Sequence, residues 1–351
     1  SKVLAVIHQD SKIDLKGVAN GSLKVKMNQR ALAPLIDLKI ENISLSDNYL
    51  GNLIINAEAS EYVNVYNVKA NIESGEWFGN DKLALEGTID NNMRSPKLDL
   101  VAKLHDFDLG FVQAFVKDIF SNFKGKATGE LKIDGTPKDL NYGGDIAMKG
   151  FALKLKFSGV DYTFDDTVVT VSNGNLLFNL VGVKDHRTNS KGMISIGRLS
   201  LSDLSNIGAD LLIRADNLML LNTTQSDFDT FWGMIYAKGY IFVGYDSKGL
   251  KIDATADVLD NSVFTLNSAS ASSVDKFKML RFITVSKSGE IQLAEKNKNR
   301  LNMEINLDVT ANKNSTVNVL LGDEVGNISV SGETKNMKFS MDKTGNINMF
   351  G

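Results

Sequence analysis

The amino-acid sequence predicts an all-β protein built as an extended amphipathic sheet, and three observations predict it. First, apolar and polar residues alternate one for one in short runs from Leu23 to Met349. Leu250, Ile252, Ala254, Ala256 and Val258 are apolar, with Lys251, Asp253, Thr255 and Asp257 between them; Met303, Ile305, Leu307 and Val309 repeat the pattern against Glu304, Asn306, Asp308 and Thr310. Successive side chains of a strand point to opposite faces, so each run has one greasy and one wetted face. Second, three prolines (Pro34, Pro96, Pro137) stand against 29 glycines. Proline interrupts a ladder, whereas glycine permits tight turns and bends. Third, turn-forming clusters punctuate the runs, at residues 90–92, 165–166, 172–175, 286–289 and 343–346.

The elements follow in order. Strands are predicted over residues 23–27, 38–40, 53–59, 62–66, 83–89 and 98–104. One amphipathic helix is predicted over 109–124. Val112, Phe115, Val116, Ile119, Phe120 and Phe123 recur there at spacings of three and four, and Asp108 stands at a capping position. Its other face is close to neutral, which suits a plug on the sheet better than a membrane-docking helix. Strands resume at 131–133, 153–157, 168–171, 194–196 and 211–215. The last third adds 241–243, 250–258, 263–266, 291–293, 303–309, 317–321, 328–330, 337–341 and 347–349. A weaker helical pattern covers 274–282 and a single turn 201–207. The chain is therefore read as an amino-terminal stretch of sheet (1–108), the helix (109–124) and a carboxy-terminal sheet domain (125–351).

About twenty strands at ~4.8 Å spacing make a ladder of roughly 95 Å, and open sheets rarely exceed about ten strands without curling or splitting. A sandwich with a dry core, a β-helix, and one sheet folded lengthwise into a trough all satisfy that geometry. Residues 19–26 and 127–134 echo each other faintly, which favours a quasi-one-dimensional stack. Residues 1–4 and 348–351 both read as strand interior, so the chain is expected to be a piece of a longer protein.

Chemistry is sparse. There is no cysteine, which removes thiol catalysis, disulfides and zinc–thiolate sites. His8, His105 and His186 show no ligand spacing, and no nucleophile elbow, phosphate-binding loop or dinucleotide fingerprint occurs. Asp165 and Asp166 sit where a hairpin turn is expected, which makes them turn residues before an acid–base pair. Lys24, Lys26, Lys154 and Lys156 take alternate positions and read as a solvated strand face. The net charge of −3, with both signs interspersed, gives no nucleic-acid footprint. No run of 18 apolar residues exists to cross a bilayer as a helix. The expectation is a non-enzyme without cofactor, metal or nucleic-acid partner.

Several segments carry a resemblance. Residues 123–137, with Gly125, Gly129, Leu131, Ile133, Gly135 and Pro137, followed by Gly143-Gly144-Asp145-Ile146, resemble the recurrent glycine-punctuated unit of the TamB-like, AsmA-related proteins. Residues 227–244, with Phe231, Gly233, Ala237, Gly239, Ile241, Val243 and Gly244 among them, look like a glycine-punctuated stretch of the TamB carboxy-terminal domain. Residues 301–311, 317–321, 323–326 and 345–351 are similar to the end of that domain in its Bacteroidetes branch. The similarity is clearest over 123–351. Gly326-Asn327-Ile328 stands where the family shows Gly-Asp followed by Ile or Val.

What the resemblance implies is the trough: an elongated curled β-sheet (a β-taco) with an apolar interior. It also implies a periplasmic protein anchored in the inner membrane by a segment outside this chain. Such proteins reach an outer-membrane barrel of the Omp85 type, TamA-like or BamA-like. The implied role is carriage of phospholipid acyl chains between the membranes, or else a scaffold for outer-membrane protein insertion. Taken with the alternation, the expected lining of the groove is Leu98, Leu100, Leu104, Leu131, Ile133, Leu153, Leu155, Phe157, Ile252, Ala254, Val258, Met303, Ile305, Leu307 and Val309.

Overall fold

The computed structural model describes residues 15–28, 31–45, 48–73, 82–113, 119–185, 190–200, 208–228, 230–267, 283–285, 291–293, 302–320, 326–343 and 347–350. Its strands are β1 (Leu15–Asn28), β2 (Ala31–Leu45), β3 (Asn48–Ala59), β4 (Val65–Glu73), β5 (Leu83–Asp90), β6 (Lys97–Asp108), β7 (Phe120–Thr136) and β8 (Asp139–Leu155). Then come β9 (Val160–Phe164), β10 (Thr167–Ser172), β11 (Asn175–Asp185), β12 (Lys191–Ser200), β13 (Gly208–Thr223), β14 (Phe231–Asp246), β15 (Gly249–Val258) and β16 (Val263–Asn267). The last are β17 (Ile283–Val285), β18 (Ile291–Leu293), β19 (Met303–Ala311), β20 (Thr316–Leu320), β21 (Asn327–Ser331), β22 (Thr334–Met341) and β23 (Ile347–Phe350). Twenty-one of these strands belong to one hydrogen-bonded sheet, and β17 and β18 form a small ladder of their own. The chain is all-β, as the alternation predicts.

Local chemistry explains the connections. Between β10 and β11 stand Asn173 (φ 48°) and Gly174 (φ 72°). Two successive positive φ values define the type I′ turn, whose twist matches that of a hairpin. The predicted strand at 62–66 is instead a turn leading into β4. There the Ser60 hydroxyl accepts from the Tyr62 N–H at 3.1 Å, and Asn64 takes φ 57°. Phe157 likewise lies beyond the end of β8, in a turn closed by Gly159 (φ 68°), and not in the strand predicted over 153–157.

The predicted helix over 109–124 is shorter in the structure. A 3-10 turn spans Leu109–Val112, and the Asp108 carboxylate accepts from the Gly110 N–H at 2.7 Å. Residues 114–118 lie outside the described residues. Phe120 and Phe123 belong to β7, where Phe120 pairs with Leu155 of β8. The pairing slips between Ser121 and Lys124 around Asn122 (φ 54°), so the two-residue period of the strand is broken there and imitates a helical spacing. The helical patterns at 274–282 and 201–207 also fall outside the described residues.

The chain divides into two compact units. The first comprises Ser1–Lys156, Asp161–Val181 and Ile196–Ile207, and the second Phe157–Val160, Gly182–Ser195 and Gly208–Gly351. In the first, β1 to β8 form a continuous antiparallel meander, and β10 adds to the far side of β8. In the second, β14 forks. Its first residues, Phe231 to Met234, pair with β16, while Ala237 to Asp246 pair with β15. Parallel pairings then extend each branch, β15 with β19 and β16 with β20. Aromatic rings fill the fork: Phe264 lies 6.2 Å from Phe231 and 6.0 Å from Phe339, and Phe228 stacks on Phe231 at 5.4 Å.

Gly144 of β8 shows why glycine recurs inside these strands. Its φ is 146°, and a Cβ there would run into the carbonyl oxygen of Glu130 and lie 3.3 Å from the Leu131 Cα. The Gly144→Val protein is therefore expected to lose stability by about 1–3 kcal/mol through overpacking and backbone strain. Gly332→Ala, where an added Cβ meets nothing within 4 Å, should stay within about 0.5 kcal/mol of the parent. Urea denaturation of both variants checks the contrast, and an unchanged midpoint for Gly144→Val would contradict this account.

Candidate functional site

Residues directly opposite each other in a ladder present their side chains on the same face. Following the register of the first unit therefore shows which residues line up. One row runs Ala19, Ile40, Leu53, Ile72, Leu83, Leu104, Gly129, Ile146 and Val169. The next runs Gly21, Leu38, Ile55, Ala70, Leu85, Ala102, Leu131, Gly144, Val171 and Leu176. A third runs Leu23, Ile36, Ala57, Val68, Gly87, Leu100, Ile133 and Tyr142. Every side chain in the three rows is apolar or absent, apart from the Tyr142 hydroxyl. This unbroken apolar face is the candidate site.

The face is only partly covered. Ile40, Ile72, Leu100, Ala102, Val169 and Val171 are buried, but Leu53, Ile55, Leu83, Leu85, Leu104, Leu131 and Ile133 remain partly accessible. On β1, Leu23 is 67% exposed. A closed dry core would bury leucines and isoleucines at such central positions.

The reverse face of the same strands is polar. Lys103 donates to Glu86 at 2.6 Å, Lys132 lies 3.6 Å from Asp134 and 4.0 Å from Asp99, and Thr170 donates to Asp145 at 2.8 Å. The hydrogen bond from Lys103, and then its charge, hold the Glu86 carboxyl below the usual carboxylate range; Glu86 in turn raises the Lys103 ammonium. Both groups are exposed, so the pair sets which face is wet far more than it adds stability.

The second unit repeats the arrangement with other strands. Leu211, Val243, Ile252, Ile305, Met341 and Ile347 occupy one register row, and Ile213, Ile241, Ala254, Leu307, Phe339 and Met349 the next. Met303 aligns with Leu250, Val309 with Ala256, and Val258 with Ala311. On the reverse face Asp253 accepts from Asn306 at 2.9 Å and lies 3.0 Å from Lys251.

The predicted lining residues can now be placed. Leu98, Leu100, Leu104, Leu131 and Ile133 share the apolar face of the first unit. Ile252, Ala254, Val258, Met303, Ile305, Leu307 and Val309 share one face of β15 and β19 in the second. Leu153 and Leu155 lie beyond Gly150 (φ 58°), where the β7–β8 pairing slips, and the rows do not reach them; Phe157 is in the following turn. Sequence reasoning missed Leu38, Ile40, Leu53, Ile55, Ile72, Leu83 and Leu85. Most of these sat in strands already predicted, and their alternation was the signal that could have found them. Among the described residues no group of three or more His, Asp or Glu side chains could hold a metal ion.

Residues 182–351 match the family model of the TamB C-terminal domain. The chain carries a TamB C-terminal domain. The match starts at Gly182, where one segment of the second unit begins, and takes in all of Gly208–Gly351, so it covers chiefly the forked unit. The glycine-punctuated segment 123–137 lies outside the matched residues. No curated protein and no solved structure matches the TamB-like chain. The family match brings with it a role in the cell envelope. No helix among the described residues is long and apolar enough to cross a membrane.

Asp253 provides a titration test of the wet face. The hydrogen bond from Asn306 first, and then that from Lys251, hold its carboxyl below the ordinary value. A depressed carboxyl stabilises the fold at pH above its unfolded-state value, and that contribution disappears as the pH falls through its folded-state value. Asn306→Ala should therefore raise the Asp253 titration midpoint in a carboxyl-resolved NMR titration. Its stability deficit relative to the parent at neutral pH should shrink in acid; an unmoved midpoint would contradict the assignment.

Proposed function

We propose that this TamB-like chain carries phospholipid along its apolar sheet face between the inner and outer membranes of a Gram-negative envelope. Acyl chains lie on the apolar rows, and headgroups project away from the sheet through its open side into water. The observation that carries the reading is the three-row apolar face: in register across the eight strands β1 to β8, and still partly accessible at its centre.

Magnitudes support a passive mechanism. Eight strands at ~4.8 Å extend roughly 35 Å, while the chains of one leaflet span about 15 Å, half of a ~30 Å hydrocarbon core. A bound chain thus overlaps three or four strands at once. Each methylene kept from water contributes about 0.8 kcal/mol, so the face can hold a lipid without any chemical step, and no catalytic role is proposed. Neighbouring strands present similar side chains, so a one-strand advance exchanges like contacts for like, and the lipid can slide.

The test is site-specific photo-crosslinking in a Gram-negative periplasm. With p-benzoylphenylalanine at Leu85, Leu131, Ala254 or Leu307, phospholipid adducts are expected by mass spectrometry. At Glu86, Lys132 or Asp308, on the wet face, they are not. Equal labelling of both faces, or none at the apolar positions, would sink the conduit.

A second reading, a scaffold for outer-membrane protein insertion together with an Omp85-type barrel, draws support from β21. Among the described residues it pairs with β20 alone, and it exposes Ile328 (50%) and Val330 (54%). An open edge of this kind can accept an added strand. Crosslinks from Ile328 to barrel precursors, without lipid adducts on the apolar face, would favour it.

A further inference from the structure

A cavity of about 650 Å³ opens in the first unit, where the starts of β3 and of the 3-10 turn meet β7 and β8. Its volume lies in the range of small-ligand sites, and its lining mixes two chemistries: the lysines Lys124, Lys126 and Lys149, and the apolar side chains of Leu50, Phe111 and Phe123. Phe123 is held edge-on against Phe151 at 5.1 Å, so that part of the wall is braced. Gly125 (φ 140°) and Gly150 (φ 58°) also border the space, and a Cβ built on Gly150 would meet nothing within 4 Å. The β7–β8 pairing slips beside them, between Lys124 and Lys126.

The lysines are the unusual part. Lys126 and Lys149 stand directly opposite each other in the β7–β8 ladder, and like charges in that relation destabilise a sheet. Lys39, Lys103, Lys132 and Lys251 each lie within 4.0 Å of a carboxylate. No ion pair joins Lys124, Lys126 or Lys149 to a described carboxylate. Asp108 is the one acid in the lining and aligns with Lys126, but its carboxylate accepts from the Gly110 N–H at 2.7 Å. Three ammonium groups with a single carboxylate among them, in a lining that also holds two phenylalanine rings, match the chemistry of an amphiphile with a phosphate at one end.

We propose that this cavity is a station for the phosphate of an anionic lipid headgroup, with the first methylenes of its chain against Phe111 and Phe123. The proposal deepens the conduit reading and rests on it, by naming the headgroup class and the place where it is held. Free phosphate shares the anion chemistry but not the hydrocarbon, and the test separates the two.

The experiment is calorimetric titration of the full chain with dodecyl phosphate below its micellar concentration, with inorganic phosphate and dodecyl maltoside as comparison probes. Dodecyl phosphate should bind roughly tenfold or more tightly than either, and weaken as salt rises, because lysine attraction to anions is screened. Lys124→Ser/Lys126→Ser/Lys149→Ser should lose at least that factor and its salt dependence. Lys149→Glu, which places a carboxylate opposite Lys126, should lose it too, with unchanged circular dichroism in both variants. Equal binding of inorganic phosphate would overturn the lipid assignment. Equal binding of the maltoside, or full binding by the triple variant, would overturn the role of the lysines. The Leu131 crosslink reads the conduit independently, so a failed cavity with lipid still captured at Leu131 is told apart from a failed conduit.

Discussion

Cross-strand register is the constraint on which the rest of this structure depends. Side chains alternate with a period of two, so a slip of one residue in any ladder would send that strand's leucines to the wet face and its lysines to the dry one. In the first unit the register carries Gly21, Leu38, Ile55, Ala70, Leu85, Ala102 and Leu131 onto one line without an error. The slips in these ladders, at Lys16/Val18, Ile40/Ile43, Ile43/Ser44, Leu104/Phe107, Ser121/Lys124 and Lys124/Lys126, all lie to one side of the three apolar rows, the nearest starting at Ile40 and Leu104 of the outermost row. Irregularity is thus concentrated where it leaves the central face intact.

The charged face helps to hold that register. Glu86 and Lys103, Asp99 and Lys132, and Asp145 and Thr170 join neighbouring strands, and each contact lengthens or breaks if the ladder shifts. Individually such exposed pairs contribute little. Repeated across the strands, they bias every ladder toward the same side, while the apolar rows supply most of the favourable free energy. Glycines set the remaining limit: at Gly87 an added Cβ would come within 2.8 Å of the Leu100 Cα, so neighbouring strands approach more closely than a substituted residue allows.

How much of this was legible in the sequence follows from what each feature requires. A strand's own two faces are written in its alternation, and Ile252, Ile305 and Leu131 each stand between polar chain neighbours. Which strand lies beside which is not written there. The juxtaposition of Lys126 with Lys149, and the parallel seating of Met303 beside Leu250, appear only once the ladders are known. Phe120 and Phe123 misled because a bulged strand and a helix can share a three-residue spacing. Phe157 misled because a turn closed by Gly159 follows an apolar run without a break in composition. The family resemblance was legible in glycine spacing, and its firm part begins at Gly182.

The parallel seam between β15 and β19 carries a further consequence, for the making of the protein. Leu250 must wait for Met303, and the intervening segment has to be completed before that edge can close. At synthesis rates of about 5–20 residues per second, the interval is roughly 3–10 s. Throughout it, Leu250, Ile252 and Ala254 sit on a strand with β14 on one side and nothing yet on the other. Antiparallel hairpins elsewhere in the chain close within microseconds of being made. Biogenesis of the second unit is therefore vulnerable at one identifiable seam, and a chaperone that shields open sheet edges would find its greatest use there.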